Sequence, residues 1–149
     1  MTEIWFYHLT TRPLESALPV LLERVLKAEA RAVVMAGSEA RVAELDAHLW
    51  TFDPNSWLPH GTAKAGEAAD QPIWLTTEDE NPNGSDYLYL TDGAETARPD
   101  AYKRVSLVFD GRDDVATQTA REHWKAFREA GHDLAYWKQN ETGRWEKAG

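Results

Sequence analysis

Cysteine is missing from this sequence of 149 residues, which excludes disulfides, thiolate nucleophiles and Cys-bound zinc or iron–sulfur centres. No stretch reaches the run of about 18 apolar residues that a membrane helix needs. The opening MTEIWFYHLTTRP lacks the basic-then-apolar order of a secretory leader, so a cytoplasmic protein without membrane contact is expected. Glycine-rich phosphate cradles are missing too: neither G-x-G-x-x-G nor G-x-x-x-x-G-K-[ST] occurs. There is no G-x-S-x-G elbow and no H-E-x-x-H, and His8, His48, His60, His123 and His132 show no H-x-x-x-H spacing. No catalytic residue, metal or cofactor is therefore expected. Basic side chains are the minority, 16 against 25 acidic, for a formal net charge of -9. Such a field opposes broad binding to a nucleic acid, which needs clustered Lys and Arg.

What is present suits one globular domain over residues 1–139, followed by a polar tail over 140–149 that is expected to fray. Hydrophobic residues make up 42% and charged residues 28%, ordinary for a folded domain. Glu3 to Leu9, EIWFYHL, reads as a buried strand. Leu14, Leu18, Leu21, Leu22, Val25 and Leu26 recur at helical spacing, with Pro19 expected to shorten or kink that helix. A strand at 32–36 and a helix capped by Ser38 and running to about Trp50 follow. From Thr51 to Pro72, three prolines and two glycines without periodicity predict a long loop. Strands are expected at 73–76, 87–91 and 105–109, then a helix from Asp113 or Asp114 to a glycine stop at Gly131, then an edge strand at 134–138. The alternation predicts an α/β fold, Rossmann-like, with a mostly parallel sheet and helices on both faces.

Two constellations stand out. Arg121, Trp124, Lys125 and Arg128 fall at i, i+3, i+4 and i+7 on the last helix and share one side. The segment from Arg121 to Lys138 holds four basic against three acidic residues, so it is locally basic in a body that carries -10. The plain explanation is a solvated helix with Trp124 half buried; the functional one is an apolar notch beside three cations, suited to an acidic peptide ending in an aromatic residue. The second constellation is Trp50 with Trp57, Pro59 and His60 of the SWLPH stretch, where a helix passes into a loop. Those rings either cover a sheet edge or form an interaction surface.

Three stretches in order, FYHL, LDAHLW with SWLPH, and AREHWKAFREAGHDLAYWK, make the chain resemble the chi-subunit family of bacterial DNA polymerase III. The resemblance implies a Rossmann-like adaptor of the clamp-loader assembly, with neither nucleotide site nor catalysis, acting in DNA replication. It implies that Arg121, Trp124, Lys125 and Arg128 take the acidic C-terminal tail of single-stranded-DNA-binding protein. It further implies that Trp50, Trp57, Pro59 and His60 take the psi subunit, which joins chi to the clamp loader, or a repair helicase. Thr117 stands where the family pattern can carry a Lys one turn before Arg121, and Trp124 stands where Tyr is usual. The alternatives are a small-molecule or nucleotide-dependent enzyme on the same scaffold, and a helicase partner with no role at the replication fork.

Overall fold

A computed structural model describes residues 2–51, 59–62 and 67–148. Its elements are β1 (Glu3–Leu9), α1 (Leu14–Lys27), β2 (Ala32–Met35), α2 (Glu39–Thr51), β3 (Gly61–Thr62), β4 (Ile73–Thr76), β5 (Tyr87–Leu90), β6 (Arg104–Asp110), α3 (Asp114–Glu129), β7 (Asp133–Gln139) and β8 (Trp145–Lys147). Among the described residues these strands form one sheet in the order β3-β4-β2-β5-β6-β1-β7-β8. Every pairing is parallel except β7 with β8. The expected α/β, mostly parallel architecture is what the chain adopts.

Alternation along each strand decides which face a side chain serves. Tyr7, Leu9, Val34 and Leu75 pack with Leu18, Leu21 and Leu22 of α1 and with Leu45 and Leu49 of α2. Ile4, Phe6, Val33, Leu88 and Leu107 pack on the other face with Ala120, Trp124 and Phe127 of α3. A sheet clad on both faces explains why its strands read as continuous apolar runs. The helices after the adjacent strands β1 and β6 thus leave to opposite faces, which makes the crevice at those strand ends a topological switch point.

α1 contains Pro19 within its span: the proline removes only the bond to the Glu15 carbonyl, and its buried ring compensates. The structure departs from expectation in three places. Within the segment predicted to be loop, Gly61–Thr62 pair with β4 as a short parallel strand. β7 is not an edge, because β8 covers it, and Trp145–Lys147 are therefore ordered in the sheet where fraying was expected. The hairpin between them is held by the Asn140 side chain, which accepts from the backbone N–H groups of Thr142 and Arg144 at 2.9 and 3.0 Å. It returns the Trp145 ring to within 4.9 Å of Tyr7, edge to face; that aromatic contact holds β8 down.

Candidate protein-interaction surfaces

α3 is a well-anchored platform. Asp113 caps its start by accepting from Val115 and Ala116 N–H at 2.9 and 3.2 Å. Its end is a Schellman closure: His132 N–H donates to the Phe127 carbonyl and Gly131 N–H to that of Arg128, with Gly131 at φ 87°, a value glycine reaches without strain. Along the side of α3 next to this strip, Ala120 is buried and His123 and Phe127 are half-buried, but Ala130 is exposed, since it is the cap residue where the helix leaves the sheet.

Trp124 is half-buried and pins the helix. Its ring lies 5.3 Å from Phe6 and 5.8 Å from Tyr136, edge to face in both cases. Arg121, Lys125 and Arg128 flank it, all exposed. Among the described residues, none of the three cations has an ion pair or a side-chain hydrogen bond. The larger cavity against α3 opens on its other side, along Val115, Ala116, Thr119, Ala120 and His123.

Tertiary structure adds three residues to this surface that sequence reasoning missed. The β1–β7 register sets Phe6 opposite Tyr136 and His8 opposite Lys138, and parity puts all four on the α3 face. His8 Nδ1 and the Tyr136 hydroxyl are 2.5 Å apart. Burial, then the nearby Lys138 and Arg121, hold the His8 imidazole below its ordinary pKa, against the opposing pull of Asp110. Burial raises the Tyr136 hydroxyl, and Arg121 opposes that rise. Arg121 and Lys138 therefore contribute to one positive field over a ring-lined surface. The alternation in YHL and AYWK was visible in sequence; the pairing that aligns them was not.

At the other constellation Trp50, on the last turn of α2, is 54% exposed. Its ring lies 4.3 Å from that of His60. His60 is buried, and its Nε2 lies 2.9 Å from Asp46 Oδ1. Pro59 is half-buried beside it in sequence. The structure thus brings Trp50 and His60 together; Trp57 lies outside the described residues.

The switch-point crevice is where a dinucleotide would sit in this architecture. Here the turn from β1 to α1 has its N–H groups engaged. Gln139 Oε1, on a side chain in a residue only 4% exposed, accepts from Thr10, Thr11 and Arg12 N–H at 2.9, 3.1 and 3.1 Å, the turn that would otherwise cradle a phosphate. Pro13 has no N–H, and Asp113 occupies the α3 terminus. Arg41 is bound by Glu15, by Glu44 at 3.2 Å and by Asp92 at 3.2 Å. Burial favours the neutral Glu15 carboxyl, but its backbone bond and Arg41 outweigh that and hold its pKa below the ordinary value. No group of three metal-ligating side chains occurs among the described residues, and no helix there is long and apolar enough to cross a membrane.

An α/β scaffold thus carries two surfaces on which rings and basic side chains stand together. Residues 1–135 match the family model described as DNA polymerase III chi subunit, HolC, and the chain belongs to that family of DNA replication subunits. It is 28% identical over 138 residues to the DNA polymerase III subunit chi of Pseudomonas aeruginosa, covering 90% of this chain and 94% of that one. The subunit chi of Haemophilus influenzae is 27% identical, covering 87% and 92%. The probable subunit chi of Rickettsia prowazekii is 24% identical, covering 99% and 92%.

Proposed function

We propose that this chain is a non-catalytic, cytoplasmic adaptor of the DNA polymerase III assembly. On this reading Arg121, Trp124, Lys125 and Arg128 receive the acidic C-terminal tail of single-stranded-DNA-binding protein. Trp50, Trp57, Pro59 and His60 receive the psi subunit or a repair helicase, and so tie the tail to the clamp loader. The observation that carries the first surface is the set of three cations, without ion pairs among the described residues, around a half-buried Trp124 in a protein of net charge -9. Charge-assisted hydrogen bonds contribute about 1.5–3 kcal/mol each. Two of them, with one buried ring, support an affinity near micromolar, about -8 kcal/mol.

The test is a fluorescence titration with a labelled peptide copying that tail, which ends in Pro-Phe. Binding near micromolar strength is expected, weaker as salt rises, abolished by deleting the final Phe, and about tenfold weaker in Arg128→Ala. Trp50→Ala should leave the peptide affinity intact while releasing psi or the helicase. Affinity indifferent to both the Phe and Arg128 would assign the tail elsewhere. The nucleotide-dependent alternative predicts that a nucleotide raises the melting temperature by mass action; the closure of the β1–α1 turn on Gln139 speaks against it.

A further inference from the structure

On the sheet face opposite α3, a groove of about 660 Å³ runs between α1 and the β7–β8 hairpin. Arg12, Arg24 and Arg144 stand at it, Trp5, Trp137 and Trp145 form part of its wall, and no carboxylate is among its described lining residues. In a chain of net charge -9 this is a marked local excess of positive charge. None of the three arginines has an ion pair among the described residues.

Arg12 is held by built structure. Gln139 fixes the backbone at Arg12 through its N–H. The Arg12 side chain then lies across Gly143, where a Cβ would come within 2.3 Å of its Nε; Gly143 sits at φ 82°, so a side chain there would both strain the turn and displace the guanidinium. The Trp137 indole N–H is buried with no acceptor, in a wall of the same groove. Val20, on the exposed side of α1, is 48% exposed at the groove.

We propose that this groove is a receptor for an acidic peptide segment that carries an aliphatic side chain beside its carboxylates. The carboxylates meet Arg12, Arg24 and Arg144, and the aliphatic group packs on Val20 and Trp145. A single-stranded nucleic acid fits less well. Such strands bind by stacking bases on open ring faces, whereas Trp5 already carries the Arg104 guanidinium 3.6 Å from its ring centre and lies 5.3 Å from Trp137. A polyphosphate chain also meets the repulsion of the acidic body along its whole length, while a short peptide brings only a few charges.

The test uses the full chain carrying Arg121→Ala, Lys125→Ala, Arg128→Ala and Lys138→Ala, so that the α3 surface lacks its cations and its own assignment cannot affect the outcome. The probe is fluorescein-labelled Asp-Leu-Glu-Asp-Leu-Glu amide, followed by polarisation at low salt. Binding is expected to persist in this background, to fall about tenfold in Arg24→Ala and again in Arg144→Ala, and to fall when Val20 becomes Asp. Arg24, Arg144 and Val20 are exposed, and unchanged thermal melting will confirm that each variant folds. Absence of binding in the background, indifference to Arg24 and Arg144, or tighter binding of a hexathymidylate than of the peptide would each overturn the proposal.

Discussion

In the crevice above β1 and β6, Arg41 meets Glu15, Glu44 and Asp92 and Arg112 meets Asp110 at 3.0 Å; beside it, on the β7 side, the N–H groups of the β1–α1 turn close on Gln139. Along α3, by contrast, Arg121, Lys125 and Arg128 have no such partners among the described residues. The crevice is the deeper feature, yet Arg41 and Arg112 in it are committed to carboxylates of the fold, while the shallow strip keeps its charges available. A concavity locates where a ligand could fit; unsatisfied donors locate where one would gain free energy. In this chain the two have come apart.

Substitutions in the two regions should therefore fail in different assays. Gln139→Leu is expected to have the largest effect, because it leaves the Thr10, Thr11 and Arg12 N–H groups without their acceptor: a loss of about 3 kcal/mol in urea-denaturation stability, with any residual peptide binding unaltered in the folded fraction. A loss below about 0.5 kcal/mol, the range of ordinary surface substitutions, would mean that water serves those groups as well as the amide does. Arg41→Ala should come next, at about 1 kcal/mol of stability and no change in tail-peptide affinity, the mirror image of Arg128→Ala, which leaves stability within about 0.5 kcal/mol. If Arg128→Ala destabilised the fold as much as Arg41→Ala, the distinction between the regions would be lost.

The smallest effect sharpens the comparison at one group. His8 is held below its ordinary pKa of 6.5 by burial and by Lys138 and Arg121. Carboxylates bound beside Arg121 offset that field, so the tail peptide should raise the His8 pKa in an NMR titration. The sign for folding is the reverse of a paired histidine: the neutral form is favoured in the fold, so its contribution is complete above pH 6.5 and is lost as pH falls through the lower folded value. A peptide that binds yet leaves the His8 titration unmoved sits away from Arg121.

Much of the scaffold was legible from periodicity alone. EIWFYHL, AVVM, IWLT and YLYL are apolar on both sides because both faces are covered, and the α3 boundaries were announced by Asp113 and Gly131. The tail misled: Trp145 looks stranded among polar residues until the hairpin returns it to Tyr7. Of the α3 surface, the stripe itself was visible at helical spacing, but His8, Tyr136 and Lys138 lie on strands whose alignment depends on a pairing across 128 residues of chain.

Sequence by itself determined the alternation of strand and helix, the face that α3 turns outward and the local excess of positive charge there, since each follows from spacing within one element. Only tertiary structure decided which charges were left unpaired. That outcome depends on whether a carboxylate distant in sequence is brought near: Asp92 comes to Arg41, and none among the described residues comes to Arg128. It also decided that the switch-point turn closes on Gln139, because an acceptor far along the chain reaches those N–H groups only once β7 has paired with β1.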